Sequence, residues 1–234
     1  LLLVLGPNMS ILVPIDLTTP SRSAVALAVL IGRTLNLDVE LFHVTEAPPS
    51  LDRLAALHVL AEPLRAASIT TRLRTSQGTP SVAIPAQAER RSSSWIIMGT
   101  RGGVADSSPM DSVARAVMEA AKQPVVAIRP GPDGSPLMSV SDEVLLVSAE
   151  DSSPASAIAA VLAAAVSRPV SRWKPHHGEG SALPVGARQR RSAPLVVAFD
   201  PRCAADQGWC ARVLREEQSR AVVLVSASLC GCLA

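Results

Sequence analysis

The sequence predicts an α/β fold: an open parallel five-stranded sheet with helices on both faces over the first 130 residues, followed by a truncated second α/β copy. Three observations carry this. Short continuous apolar runs, Ile11–Ile15, Trp95–Met98 and Pro124–Ile128, have the character of strands buried on both faces. Helix-period segments lie between them, as at Ala24, Leu27, Ala28, Ile31 and Leu35. Parallel neighbours require crossover connections, and this alternation supplies them.

Each element follows in order. Ile11-Leu12-Val13-Pro14-Ile15 is the first strand; Asp16 and Thr18-Thr19 follow, and Pro20 suits a first helical position. Val39–Val44 is the second strand. Leu54, Leu57, Ala61 and Leu64 mark a second helix that Pro63 is expected to bend or end. In Ile69–Ser76 arginines and threonines place polar groups on both faces, which suits an edge strand. Gly78-Thr79-Pro80 opens a third helix reaching about Arg91, and Trp95–Met98 runs into Gly99. A loop of small residues leads to Asp111-Ser112 and a helix carrying Val113, Val117, Met118 and Ala121, before the fifth strand. The crossovers should be right-handed. Ligands of such sheets bind beyond the carboxyl ends of the strands, where strand order reverses.

Composition narrows the function classes. The chain has 234 residues, 48% apolar, which excludes a wholly disordered protein and allows one large or two small domains. A net charge of +2 from 22 basic and 20 acidic residues gives no electrostatic footprint for nucleic acid. With no Tyr, two Phe and three Trp, base-stacking platforms are disfavoured as well. Leu1–Leu5 is followed at once by Gly6-Pro7-Asn8 and lacks the layout of a signal or a membrane span; residues 1–8 read as an N-terminal extension. The four cysteines (Cys203, Cys210, Cys230, Cys232) cluster near the end rather than forming a distributed disulfide framework, so a cytoplasmic location is expected.

The run Pro130-Gly131-Pro132-Asp133-Gly134-Ser135-Pro136 marks a linker by composition, placed at residues 131–141. Beyond it the opening pattern recurs. Val144–Glu150, Ser152-Ser153-Pro154 and an Ala-rich helix to Val166 repeat the first strand and helix at an offset of 134 residues, which aligns Glu150 with Asp16 and Pro154 with Pro20. The expected organisation is therefore a domain over 9–130 and a degenerate half over 142–234. That half carries an irregular polar insert at 168–193, then a strand at Leu195–Asp200, a helix around Asp206–Arg220 and a strand at Ala221–Ala227. So short a half depends on packing against the first, as an intramolecular pseudo-dimer.

Asp16 and the loop Gly99-Thr100-Arg101-Gly102-Gly103 sit at the ends of strands one and four. Such a glycine loop feeding a helix N-terminus can cradle phosphate through unpaired backbone N–H groups; it can equally be a mobile turn. The order and spacing of Ile11–Asp16, Leu41-Phe42-His43-Val44, Gly78-Thr79-Pro80, Ile96–Gly102, Ser112-Val113-Ala114 and Pro124–Pro130 resemble the universal stress protein family, with the second half resembling a degenerate tandem repeat of it. The resemblance implies strand order 3-2-1-4-5 and, in one branch, ATP or AMP binding through a G-x2-G-x9-G-[ST] loop. Carried across, Asp16 would meet the adenine edge or ribose. Pro14, Ile15 and Val44 would line the base pocket, and Met98, Gly99, Gly102, Ser112 and Val113 would hold ribose and phosphates.

The sequence departs from that loop. Eight residues rather than nine follow Gly102, and Asp111 stands where the third glycine belongs. A carboxylate about 4 Å from a phosphate repels it by roughly 1–4 kcal/mol, depending on screening. Arg101 would offset some of this, and a Mg²⁺ ion with Asp111 as an oxygen ligand would reverse it. Asp111 also reads as an N-cap, and Asp16 as a turn residue. His43 and His58 read as packed or surface histidines. His176-His177 lack a metal-ligand set, the cysteines lack zinc spacing, and Arg188–Arg191 read as a solvated loop. In the second half Asp200 replaces the needed glycine, so no second nucleotide site is expected. No G-x-G-x-x-G follows the first strand, which disfavours a Rossmann oxidoreductase, and no Walker lysine or catalytic base is placed by motif. Two functions stay open: a nucleotide-binding stress regulator without efficient catalysis, or a stress-response interaction module that does not bind nucleotide.

Overall fold

The apolar runs become strands and the periodic segments become helices. The computed structural model describes residues 10–100, 112–130, 144–147, 154–166, 168–173, 183, 195–199, 209–210, 212–213, 215–216 and 222–226. The first half contains β1 (Ser10–Pro14), α1 (Thr19–Leu35), β2 (Asp38–Thr45), α2 (Leu51–Ala66), β3 (Thr71–Gln77), α3 (Pro80–Arg91), β4 (Trp95–Gly99), α4 (Ser112–Ala120) and β5 (Val125–Arg129). Then come β6 (Val144–Val147), α5 (Pro154–Val166), β7 (Val170–Trp173), β8 (Leu195–Phe199) and β9 (Val222–Ser226).

Among the described residues all the strands belong to one nine-stranded sheet of order β3-β2-β1-β4-β5-β9-β8-β6-β7. The expected order 3-2-1-4-5 is contiguous within it, with the Arg- and Thr-rich β3 at the edge. The second half does not build a separate sheet but extends the first through β5 and β9. That contact is antiparallel, with Val126 opposite Val225 and Ile128 opposite Val223, whereas every other pairing among the described residues is parallel. Ser226 Oγ accepts a hydrogen bond from Val125 N at 3.0 Å across the same junction.

Strand alternation sorts side chains to two cores. Ile11, Val13, Leu41, Ile97 and Val126 face α1, α2 and α5, together with Val144, Val196 and Val223 of the second half. Leu12, Phe42, Ile96, Met98 and Val125 face α3 and α4, together with Val197, Leu224 and Trp209. Both layers run from one half into the other, so the short second half buries its apolar side chains in a core it shares. Full burial of each such side chain stabilises by about 1.5–3 kcal/mol.

Local chemistry sets the ends of α1. Thr18 holds the extended N-cap conformation, Pro20 lies in the first turn, and Asn36 closes the helix in the left-handed region at φ 53°. Two expectations change. Pro63 does not end α2, which continues to Ala66; the proline lies in the last turns, and the fully buried Leu57, Ala61 and Leu64 hold the helix on the sheet. Within the supposedly irregular 168–193 insert, Val170–Trp173 form β7 and pair with β6. In the expected Asp206–Arg220 helix the six described residues, between Trp209 and Glu216, are helical. The extension 1–8, the linker 131–141, His176-His177, Arg188–Arg191, Glu150, Asp200 and Cys203, Cys230 and Cys232 lie outside the described residues. Among the described residues no helix is long and apolar enough to cross a membrane.

Candidate functional site

Strand order reverses between β1 and β4, and a cavity of about 120 Å³ opens there at their carboxyl ends. Pro14, Ile15 and Asp16 line it from β1 and its exit, Phe42 and Val44 from β2, and Met98 and Gly99 from β4. Thr18, Pro20 and Ser21 come from the start of α1, Pro80 and Ile84 from α3, and Val113 from α4. A cavity near 150 Å³ takes a benzene molecule, so this smaller space encloses part of a flat ring and leaves the rest at its open mouth. Its lining is mainly apolar, with Asp16 the one ionisable group among the described lining residues.

The Asp16 carboxylate is tied into the turn that starts α1. Oδ1 accepts from Thr18 N at 3.0 Å, Thr18 Oγ1 at 2.5 Å and Ser21 Oγ at 2.6 Å, while Asp16 N donates to Ser21 Oγ at 2.9 Å. Leu17, next in the chain, has φ 69°, a conformation costing a branched residue roughly 1–2 kcal/mol. The turn thus combines a strained residue with a carboxylate that ties it back to the helix.

Gly99 is required by packing. A Cβ there would lie 2.3 Å from the Pro20 carbonyl carbon, far inside contact distance, so only glycine lets the end of β4 meet the first turn of α1. α3 is held from below by a buried carboxylate: Glu40, 3% exposed, accepts from Gln87 Nε2, and Arg90 donates in turn to Gln87 Oε1. Arg91 Nε stands 3.1 Å from Glu40 Oε2 at ion-pair distance but without hydrogen-bond alignment, and Arg74 Nε lies 3.8 Å from Oε1.

His43 is packed, as the sequence suggests, and has two polar partners. Its ring contacts Ile15 O through Nδ1 at 2.7 Å and Arg53 Nε through Nε2 at 2.9 Å. His58 lies on the surface of α2.

The fold therefore brings Pro14, Ile15, Asp16, Val44, Met98, Gly99 and Val113 to one cavity. Ser112, exposed at the first position of α4, stands beside Val113 but is not part of the lining. Arg101, Gly102 and Asp111, and with Asp111 its cap and Mg²⁺ readings, lie outside the described residues. Sequence reasoning missed Thr18, Pro20, Ser21, Phe42, Pro80 and Ile84. Thr18 and Pro20 were legible only as helix-start chemistry, and Phe42 and Ile84 carry the same signal as any core residue. Among the described residues no group of three His, Cys, Asp or Glu side chains could hold a metal ion.

The model of the universal stress protein family matches residues 7–129. The chain belongs to that family. Among solved structures, this family member is similar to a universal stress protein from Archaeoglobus fulgidus DSM 4304, with 14% identity and a TM-score of 0.65 over 92% of this chain and 95% of that one. It is similar also to a putative universal stress protein from Pseudomonas aeruginosa UCBPP-PA14, with 14% identity and a TM-score of 0.62 over 93% and 92% of the two chains. A universal stress protein from Archaeoglobus fulgidus in complex with dAMP aligns over 52% of this chain and 98% of its own, with 20% identity and a TM-score of 0.44. No curated protein matches the sequence.

Proposed function

We propose that this universal stress protein binds one adenine nucleotide, ATP or AMP, at the carboxyl ends of β1 and β4, and acts as a regulator without efficient catalysis. The observation that carries this reading is the apolar cavity at the strand-order reversal, bounded by Pro14, Ile15, Phe42, Val44, Ile84 and Met98. The edge of a purine would enter this slot between apolar side chains, and the Asp16, Thr18 and Ser21 cluster offers polar atoms at its rim. The ribose and phosphates would extend towards Gly99, Arg101, Gly102, Ser112 and Val113, where α4 begins. Mg²⁺, where it accompanies the phosphates, would take Asp111 as an oxygen ligand. Absence of turnover is supported by the described lining residues, among which the ionisable group, Asp16, already accepts three hydrogen bonds at Oδ1.

The second half is, in this proposal, a degenerate repeat of residues 9–130 joined to them by the 131–141 linker, and the two halves form an intramolecular pseudo-dimer. The sequence of strands β9-β8-β6-β7 mirrors 5-4-1-2 of the first half about the antiparallel β5–β9 contact. α5 follows β6 as α1 follows β1. This half supplies structure rather than a second site.

A non-nucleotide interaction module is the second reading. It is favoured by the prior engagement of Asp16 and by a packing reason for Gly99 that needs no ligand. Equilibrium titration with ATP and AMP, with and without Mg²⁺, separates the two when paired with Val44→Trp, which fills the cavity from its partly exposed β2 end. Micromolar binding by the wild type that Val44→Trp abolishes supports the nucleotide site. Absence of binding by folded wild-type protein supports the interaction module.

A further inference from the structure

His43 lies on the opposite face of the sheet from the cavity. Strand alternation puts it with Val39 and Leu41, whereas its neighbours Phe42 and Val44 face the cavity. It is 1% exposed, and both ring nitrogens have partners. Arg53 is always a cationic donor, so the 2.9 Å contact from its Nε makes His43 Nε2 the acceptor. The ring proton therefore sits on Nδ1, which donates to Ile15 O at 2.7 Å.

That carbonyl belongs to the peptide leading into Asp16. The N–H of the same residue, Ile15, donates to Phe42 O at 2.9 Å, one bond beyond the end of β1. The imidazole thus continues the work of the parallel ladder where the strand stops. It holds the Ile15–Asp16 peptide in place just before Leu17 turns through φ 69°. We propose that His43 is a positioning residue for the nucleotide cavity: with its tautomer set by Arg53, it fixes from behind the sheet the backbone that presents Ile15 and Asp16. This inference rests on the nucleotide reading above. It makes the cavity sensitive to an arginine on the solvent side of α2, a helix that does not line it.

The test compares wild type, His43→Ala, His43→Asn and Arg53→Met in ATP titrations well below each variant's melting temperature. Ring ¹⁵N spectra are recorded alongside. Asparagine keeps an N–H near the Nδ1 position but offers Arg53 no equivalent acceptor. The expected results are a loss of ATP affinity of about ten-fold or more for His43→Ala and a change within about three-fold for His43→Asn, although both melt lower. In the wild type, Nδ1 should be protonated and Nε2 bare; Arg53→Met should populate the other tautomer and weaken ATP binding about two- to five-fold. A purely structural role predicts affinities that ignore the substitutions in folded protein, or that fall equally for Ala and Asn, and either result overturns the proposal. A wild-type ring protonated on Nε2 overturns it too, even where His43→Ala fails to fold. Wild-type protein that binds no ATP refutes the nucleotide reading itself, which the variants' relative affinities cannot do.

Discussion

Replacing Gly99 with alanine tests whether this glycine is there for the fold. The added Cβ would lie 2.3 Å from the Pro20 carbonyl carbon and 2.5 Å from Pro20 Cβ and O. Carbon atoms settle at about 3.5–4.0 Å, so β4 and the first turn of α1 must part by about 1 Å. Neither side is a flexible side-chain tip: one is strand backbone and the other a proline whose φ is locked. Overpacking of this kind costs about 1–3 kcal/mol. At about 2–4 °C per kcal/mol for a chain of this size, Tm should fall by about 2–12 °C. Both residues line the cavity, so ATP affinity should weaken in the same variant. Gly32→Ala is the control. Its Cβ would meet the movable Ile69 Cδ1 at 3.1 Å, and alanine gains about 0.8–1.0 kcal/mol of helix propensity, so Tm should stay near or above wild type. Thermal melts followed by circular dichroism, with ATP titration of the folded proteins, read both. A Gly99→Ala protein melting with the wild type, or a Gly32→Ala protein falling as far as Gly99→Ala, would refute the packing argument.

Three further outcomes are expected. Asp16→Ala removes the acceptor of three hydrogen bonds at the start of α1 and should cost about 1–2 kcal/mol in urea unfolding, along with ATP affinity; unchanged stability would contradict the tethering role given to this carboxylate. Arg91→Met leaves the buried Glu40 with less compensation and should destabilise by about 1–3 kcal/mol, whereas the exposed Arg65→Met, which loses surface contacts with Glu62 and His58, should change stability by less than about 1 kcal/mol. In Mg²⁺-free buffer, where no ion screens the carboxylate from the phosphates, Asp111→Gly should tighten ATP binding by about five-fold to nearly a thousand-fold, the span of a 1–4 kcal/mol repulsion, and an unchanged Kd would show that no phosphate lies near that carboxylate.

The strands were legible where burial on both faces makes the sequence uniformly apolar, as in Ile11–Val13, Trp95–Met98 and Val125–Ile128. β7 was not, because Val-Ser-Arg-Trp at an open sheet edge carries no continuous apolar run and lies in polar surroundings. Pro63 misled in the opposite direction: a proline near a helix end loses to the burial of Leu57, Ala61 and Leu64. At the site, Asp16 and Gly99 stood out because strand ends followed by turn residues are readable in one dimension. Phe42 and Ile84 did not, since they come from β2 and α3 and meet only after the sheet has formed. The sequence suggested Gly99 for its approach to a ligand; the fold adds an approach to Pro20 that could not be seen before α1 was docked against β4. His43 read as a packed histidine, and its link to Ile15 O depends on the register that sets β2 beside β1.

In the function proposed above, an adenine base occupies the cavity between β1, β2, β4 and α3. Photolabelling with an azido-adenine analogue of ATP, followed by peptide mapping, tests this directly. The account predicts one label per chain, displaced by excess ATP and found in peptides carrying Phe42–Val44 or Pro80–Ile84. Label that ATP does not displace, or that falls in residues 195–226, would contradict it.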